Sequence, residues 1–198
     1  MAEVVRRIAL FGGSFDPPHT GHLAIARAAV AECMLDNLIF IPCRESPLKG
    51  KLPGASGEQR LAMLKLATAD CPWAEVSDWE LRQPGPSYSW QTVEHFTAQE
   101  PQGIFHWLMG ADQWAEIERW ARPEYLRRQL TFIVFAREGV QPRRRADWKA
   151  VFLPGEYPGS STEARRRIGA GESGGGLLPA AVEEYIVSAR LYRSGDLQ

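Results

Sequence analysis

Short apolar runs of strand length alternate with helix-forming stretches along most of this chain of 198 residues. The runs at 4–11, 38–41, 104–109 and 130–136 are apolar at most positions, which is typical of strands buried on both faces. Parallel strands of this kind are joined by crossover helices that cover both faces of the sheet. The pattern therefore predicts an α/β fold, a Rossmann-like doubly wound parallel sheet with a small helical C-terminal extension.

Helical spacing and turn residues place the remaining elements. Further short strands are predicted at 73–76 and 151–153. The predicted helices are 20–33, 58–69, 89–99, 112–120, 123–129, 161–168 and 179–191. Because the length suits one well-buried core, we predict that residues 1–198 form a single domain, with 160–198 as its C-terminal helical part.

The composition excludes several classes of protein. The formal net charge is −1 and the isoelectric point is about 6.4, whereas a general binder of nucleic acids or membrane surfaces has a basic excess. No stretch approaches the roughly 20 apolar residues of a membrane span, and the N-terminal segment lacks the features of a signal peptide. The three cysteines are widely spaced, which favours reduced thiols. We expect a cytoplasmic protein with no nucleic-acid or membrane partner; its oligomeric state, including a homo-oligomer, stays open.

The segment GGSFDPPHTGHL, residues 12–23, follows the first predicted strand, at the sheet edge where doubly wound folds bind ligands. Gly12 and Gly13 let the backbone turn tightly and let a ligand approach main-chain N–H groups. Thr20 is the predicted N-cap of the next helix, whose first N–H groups and positive dipole end favour phosphate. His19 and His22 lie three apart and can face the same side of the helix start. Together these features favour a phosphate-binding loop.

Other interpretations of this segment stay open. Neither the G-x-G-x-x-G fingerprint of dinucleotide binding nor the Walker pattern is present. The two histidines have the spacing of half a zinc site, but no further cysteine or histidine stands at ligand spacing. A plain turn before a capped helix with two surface histidines also fits. Asp16 in the same segment either braces the loop or contacts a nucleotide.

A second segment, GSSTEARRRI at 159–168, has the same chemistry. Ser160, Ser161 or Thr162 can cap the helix, and Arg165 lies near its first turn. A hydroxyl-rich helix start with an arginine beside it suits a second anchor for a polyphosphate. Taken alone, plain helix capping explains the segment better.

Several segments, in the same order along the chain, together resemble the bacterial nicotinate-nucleotide adenylyltransferase family of the nucleotidyltransferase superfamily. GGSFDPPHTGH resembles the G-G-[ST]-F-D-P-x-H-x-G-H signature, and GSSTEARRRI resembles the closing I-S-S-T-x-x-R segment. PSYSWQTV at 86–93 and LMGADQWAEIERW at 108–120 resemble the S-Y-T-x-x-T-L and G-A-D…W segments particular to this family. FIVFAREG at 132–139 and the terminal YIVSARLY also fit. The resemblance extends over nearly the full chain.

The resemblance implies transfer of AMP from ATP to nicotinate mononucleotide, which forms deamido-NAD and pyrophosphate, with Mg²⁺ and with no metal ligand from the protein. The mononucleotide phosphate would attack the α-phosphorus directly, without an enzyme nucleophile. The catalytic residues implied by the resemblance are His19, His22, Lys49 and Arg165. The implied ATP contacts are Gly12, Gly13, Ser14, Phe15, Asp112, Ser161 and Thr162. The implied mononucleotide contacts are Ser87, Tyr88, Ser89 and Trp120.

The sequence departs from the family in the loop after the second strand. Where the family has P-P-H-K, this chain reads S-P-L-K, so Leu48 occupies the histidine position. Leucine cannot donate a hydrogen bond to a phosphate, and the acceptor therefore stays open. The alternatives are an adenylyltransferase for nicotinamide mononucleotide or phosphopantetheine, and a non-catalytic nucleotide-binding homologue. For two residues a purely structural role also stays open. Asp112 could serve only as the N-cap of its helix, and Trp120 could be an ordinary core residue.

Overall fold

The computed structural model describes residues 5–47, 53–136, 142–155 and 157–193. The strands within these ranges are β1 (Arg7–Gly13), β2 (Asn37–Pro42), β3 (Ala74–Val76), β4 (Ile104–Gly110), β5 (Thr131–Phe135) and β6 (Ala150–Leu153). They form one sheet in the order β3-β2-β1-β4-β5-β6, and every neighbouring pair is parallel. The chain starts in the middle of the sheet, winds outward to β3 and returns to the other side at β4. This is a Rossmann-like doubly wound sheet, and the predicted fold class is confirmed.

The helices of the described residues are α1 (Thr20–Cys33), α2 (Gly57–Thr68), α3 (Trp79–Arg82), α4 (Ser89–Gln99), α5 (Ala111–Ala115), α6 (Pro123–Gln129), α7 (Ser161–Gly169) and α8 (Ala180–Ser188). The prediction of one helix over 112–120 is wrong, because α5 ends at Ala115 and a 3₁₀ turn follows at Ile117–Arg119. The tighter turn buries Ile117 and leaves Trp120 in extended backbone. Helix α3 was not predicted because its four residues are too few to show helical periodicity.

The sheet is buried on both faces, which explains its nearly unbroken apolar strands. Along β1, Ile8 and Leu10 pack into the core on one face, and Ala9 and Phe11 pack into the core on the other. Helices α4, α5 and α6 cover the first face, and α1 and α2 cover the second. None of the helices in the described residues is both long and apolar enough to cross a membrane.

A third apolar cluster packs the C-terminal helices against α2. It joins Met63 of α2 to Ala164 of α7, to Ile186 of α8 and to Tyr192 beyond α8. Tyr192 also hydrogen-bonds to Asp16 in the loop after β1. This cluster therefore brings the end of the chain next to the first strand of the sheet.

Candidate active site

A cavity of about 360 Å³ opens at the carboxyl ends of the central strands β1 and β4. The strand order reverses between these two strands, and open α/β sheets bind ligands at such a point. The predicted site residues that line the cavity are Gly12, Gly13, Ser14, Ser87, Tyr88, Ser89 and Trp120. Lining residues that the sequence did not single out include Cys43, Glu80, Trp107, Gln113 and Arg119.

His19 and His22 form a reciprocal cap at the start of α1. The Nδ1 atom of His19 accepts the backbone N–H of His22 at 3.3 Å, and the Nδ1 atom of His22 accepts the backbone N–H of His19 at 3.2 Å. The two rings stack with their centroids 3.6 Å apart. Because both Nδ1 atoms accept, the proton of each neutral ring lies on Nε2. The pair therefore carries two Nε2–H donors at a helix N-terminus, a combination that suits an anionic ligand.

Thr20 is not the N-cap that the sequence predicted. His19 has extended backbone dihedrals and supplies the capping atom from its ring, so Thr20 becomes the first helical residue. The Thr20 hydroxyl lies 3.3 Å from the carbonyl oxygen of Gly176 and 3.1 Å from that of Leu177, and donates to them. Thr20 therefore ties α1 to the C-terminal part of the chain.

The segment before α7 packs directly against the histidine pair. A Cβ atom at Gly159 would lie 2.5 Å from the Nδ1 atom of His19, and φ at Gly159 is +153°, so a side chain does not fit there. The Ser161 hydroxyl and the Arg165 guanidinium both donate to main-chain carbonyls of the loop after β1. The two segments predicted to bind polyphosphate thus lie side by side.

Within the second segment, Ser160 is the residue that caps α7. Its hydroxyl accepts the backbone N–H of Glu163 at 3.3 Å. Thr162 is exposed and accepts a hydrogen bond from Arg165 at 3.4 Å. Since Ser160 satisfies the capping requirement, the Ser161 hydroxyl bonds to the loop after β1 and the Thr162 hydroxyl bonds to Arg165 of the same helix.

Asp16 braces the loop after β1. Its carboxylate accepts the backbone N–H groups of Gly54 at 2.8 Å and Ala55 at 3.0 Å, and the hydroxyl of Tyr192 at 2.7 Å. The Arg165 guanidinium lies 3.7 Å from the same carboxylate. These contacts favour the bracing role for Asp16 over a direct nucleotide contact.

The turn at 87–89 forms the wall of the cavity opposite the glycine loop. The Ser87 hydroxyl accepts the backbone N–H of Arg44 at 3.0 Å, and the backbone N–H of Ser87 donates to the carbonyl of Glu45 at 2.9 Å. Tyr88 is the N-cap of α4, and its side chain makes no capping hydrogen bond. Helix α4 therefore starts at the cavity with N–H groups that no capping side chain satisfies, which favours an anionic group there.

Trp120 lies on the side of the cavity formed by the 3₁₀ turn and the residues after it. Its ring meets Trp107 edge to face, with the centroids 5.9 Å apart. Its Nε1 atom is buried and has no hydrogen-bond partner within the described part of the chain. The Arg122 guanidinium lies 3.8 Å from the centroid of the Trp90 ring and so joins this segment to α4.

Glu80 is the site residue that sequence reasoning missed. It is 4% exposed, lines the cavity from α3 and accepts a hydrogen bond from the Thr92 hydroxyl at 2.6 Å. Burial raises the pKa of its carboxyl, while hydrogen bonds from Thr92 and Ser87 act in the opposite direction and do not cancel the rise. Its only sequence signal is a glutamate shortly before the Pro-Gly-Pro turn, which is too weak to predict a contact with a helix that begins after that turn.

Phe15 and Asp112 lie outside the cavity wall. Phe15 is buried, and its ring meets the His22 ring at 5.0 Å, so it supports the histidine pair from the core. Asp112 is exposed in the first turn of α5, whose N-cap is Gly110, so the capping alternative for Asp112 is wrong. Lys49, and Leu48 beside it, lie outside the described residues.

The described residues offer few groupings of side chains that could bind a metal ion. Within them, no group of three or more His, Cys, Asp or Glu side chains is placed to hold a metal ion. Cys33, Cys43 and Cys71 are buried, and no disulfide joins them within the described residues.

The doubly wound sheet, with a glycine loop and a capping histidine pair at its switch point, has the position and the donor groups of a nucleotide-binding site. Residues 10–167 match the model of the cytidylyltransferase-like family. A probable nicotinate-nucleotide adenylyltransferase of Methylacidiphilum infernorum is 38% identical over 187 residues, which cover 94% of this chain and 92% of the relative. One from Gloeobacter violaceus is 39% identical over 197 residues, with 94% and 96% covered. The chain therefore belongs to the cytidylyltransferase-like family and, within it, to the nicotinate-nucleotide adenylyltransferases.

Solved structures agree on the fold. The Plasmodium falciparum nicotinic acid mononucleotide adenylyltransferase complexed with NaAD superimposes with a TM-score of 0.80 at 18% identity, covering 94% of this chain and 97% of that one. A putative nicotinate-nucleotide adenylyltransferase from Vibrio parahaemolyticus has a TM-score of 0.71 at 16% identity, with 92% and 99% covered. The expectation that the chain is an enzyme of nucleotidyl transfer is confirmed by its family.

Proposed function

We propose that this enzyme transfers AMP from ATP to nicotinate mononucleotide, releasing pyrophosphate and forming deamido-NAD. The observation that carries the proposal is the meeting of two phosphate-type segments that are distant in sequence, the first of which also lines the cavity through Gly12, Gly13 and Ser14. The names of the curated relatives and the NaAD bound to the Plasmodium falciparum enzyme support the choice of acceptor.

The triphosphate lies against the histidine pair and the start of α7. The Nε2–H groups of His19 and His22 donate to phosphate oxygens, and the guanidinium of Arg165 with the hydroxyls of Ser161 and Thr162 holds the triphosphate from the other side. The acceptor's 5′-phosphate oxygen attacks the α-phosphorus, and the bond from that phosphorus to the oxygen bridging to the β-phosphate breaks. Negative charge then grows on the departing pyrophosphate, where the fixed donors stabilise it. Positioning and charge stabilisation supply the catalysis, so no enzyme nucleophile is required.

The acceptor's ring fits the opposite half of the cavity. Trp120 offers a flat surface for stacking on a pyridine ring. The start of α4, with Ser87, Tyr88 and Ser89, offers N–H and hydroxyl groups to the ring carboxylate. The main chain at Gly12 and Gly13 then lines the place where the two substrate phosphates meet. Phe15 supports the histidines, and Asp112 contacts the ATP ribose from the rim.

Mg²⁺ enters with ATP in this proposal. Mg²⁺ keeps several waters and is usually held by substrate phosphates with one or two carboxylates, not by a full protein cage. When bound, the ion withdraws charge from the phosphate oxygens.

We also propose that the chain is a single domain and acts in the cytoplasm, where ATP is supplied.

The decisive experiment measures pyrophosphate release with ATP, Mg²⁺ and a panel of acceptors, and identifies each product by mass. We expect deamido-NAD from nicotinate mononucleotide, with at least tenfold lower kcat/KM for nicotinamide mononucleotide and no product from phosphopantetheine. A preference for either other acceptor would replace the proposed substrate. ATP binding without pyrophosphate release from any acceptor would indicate a non-catalytic homologue.

A further inference from the structure

We propose that Tyr192 is a positioning residue for the triphosphate side of the site and that it acts through Asp16 on Arg165. The inference rests on the proposed function only in that Arg165 contacts ATP. The acceptor plays no part in it. Tyr192 lies near the end of the chain, 176 residues after Asp16, and is not itself part of the cavity wall.

Asp16 is the centre of this arrangement. One carboxylate oxygen, Oδ1, accepts the Ala55 N–H and the Tyr192 hydroxyl, at 3.0 and 2.7 Å. The other, Oδ2, accepts the Gly54 N–H at 2.8 Å and lies 3.7 Å from the Arg165 guanidinium. A carboxylate that is 6% exposed depends on such donors, because water replaces few of those that are lost.

Tyr192 supplies a neutral donor to this carboxylate. Its side chain is 2% exposed and packs in the cluster that joins α2 to the C-terminal helices. Burial and the neighbouring Asp16 charge both raise the pKa of the phenol, so it stays protonated and adds no negative charge beside the phosphate loop. Tyr192 therefore satisfies Asp16 without competing with ATP for the nearby cations.

Two arginines hydrogen-bond to the main chain around Asp16, and they differ in exposure. Arg60 is 2% exposed and is fixed by hydrogen bonds to the Ser14 and Ala55 carbonyls, at 2.8 and 3.3 Å. The side chain of Arg165 is 26% exposed, and at 3.7 Å it is close to Oδ2 without a hydrogen bond to it. Arg165 also donates to the Asp16 carbonyl and to the Thr162 hydroxyl, but its greater exposure makes it the cation that can turn, either toward Oδ2 of Asp16 or toward a triphosphate.

The Tyr192 hydroxyl favours the position in which Arg165 is available to a triphosphate over the position in which it closes onto Asp16. Without this hydroxyl, Asp16 loses one of its three hydrogen-bond donors and holds more uncompensated charge in a buried place. The nearest mobile donor is Arg165, which closes onto the carboxylate and becomes less available to phosphate. Loss of the hydroxyl should therefore weaken ATP binding, although Tyr192 does not touch the nucleotide.

The test measures the Kd of MgATP by calorimetry, with no acceptor present. Tyr192→Phe should raise Kd about five- to twentyfold, at or below the low end for a lost hydrogen bond to a charged group, because Tyr192 acts on ATP only through Arg165. The matched control is Tyr185→Phe, which removes a hydroxyl from a tyrosine packed on the same cluster and should leave Kd within about twofold. An unchanged Kd in Tyr192→Phe would overturn the proposal.

A double-mutant cycle separates positioning from general loosening. In an Arg165→Ala background, Tyr192→Phe should change Kd by less than about twofold, because the residue through which it acts is gone. The same five- to twentyfold loss in that background would show that Arg165 is not the intermediary and would also overturn the proposal.

A rescue variant covers the case in which Tyr192→Phe does not fold. 4-Aminophenylalanine at position 192 keeps a weaker donor, and it should raise Kd only about two- to fivefold, again only when Arg165 is present. Equal loss with and without Arg165, or no loss at all, would contradict the proposal. A wild-type enzyme that does not bind MgATP would instead refute the proposed function, and a wild type that binds ATP without using nicotinate mononucleotide would refute only the acceptor.

Discussion

The Thr92 hydroxyl donates a 2.6 Å hydrogen bond to the buried carboxyl of Glu80 and so ties α4 to α3 beside the cavity. Ser87, at the start of the cavity turn, also hydrogen-bonds to this carboxyl. The turn at 87–89, which we propose binds the acceptor, is therefore held in place by a buried carboxyl group.

Thr92→Val removes the donor and keeps the shape of the side chain. We expect the KM for nicotinate mononucleotide to rise about tenfold while the KM for ATP stays within about twofold, because the turn at 87–89 shifts and the histidine pair does not. Steady-state kinetics, with each substrate varied in turn, measure the two KM values. Thr92→Ser keeps the hydroxyl and should behave like the wild type; equal rises in both KM values would contradict the role of the turn.

Glu80→Gln should change how stability depends on pH. Burial raises the pKa of Glu80 above its ordinary value of 4.5, so the folded protein favours the protonated form. As pH rises above 4.5, the unfolded chain ionises first, and the wild type loses stability until the folded-state pKa is passed. The glutamine variant has no such loss, so its stability relative to the wild type should increase with pH.

Urea unfolding of both proteins between about pH 4 and pH 8 measures this difference. A constant difference over the range, or one that falls with rising pH, would show that the carboxyl of Glu80 is not held in its neutral form by burial.

His22→Ala should lower kcat/KM by about 10²–10³, or about 3–4 kcal/mol of transition-state stabilisation, because it removes a phosphate donor and half of the reciprocal cap. Pyrophosphate release under kcat/KM conditions measures the loss. His95→Ala is the matched control, since His95 lies in α4, stacks on Trp79 and takes no part in the cap of α1. A near-normal rate for His22→Ala would remove His22 from the proposed mechanism.

Gly159→Ala should destabilise the protein by about 2–4 kcal/mol and raise the KM for ATP, because the new methyl group meets the His19 ring and φ is unfavourable. Gly171→Ala is the control: φ there is +76°, but a Cβ atom meets nothing within 4 Å. That variant should lose only about 1 kcal/mol and keep its KM for ATP. Thermal unfolding measures the stability of both variants, and steady-state kinetics measure their KM for ATP. An equal loss of stability in the two variants would show that a methyl group at position 159 does not meet the His19 ring.

The phosphate loop could be predicted from sequence because its physics is local. A buried strand, two glycines and a helix start follow one another within a few residues, and their geometry needs no distant partner. The prediction was wrong at Thr20 because a histidine ring can also cap a helix, and the rotamers of His19 and His22 decide which residue does so. It was wrong over 112–120 because the burial of Ile117 and the packing around Trp120 outweigh helical propensity there.

By itself, the sequence determined the order of the six strands and of most helices, and it predicted two segments for phosphate binding, since turn residues, caps and apolar periodicity act between near neighbours. The tertiary structure decided which distant groups meet: Glu80 with Thr92, Gly159 with His19, and Tyr192 with Asp16. These contacts depend on how the helices pack on the sheet and on the C-terminal cluster, and side-chain packing across separate elements leaves no periodic signal in the chain.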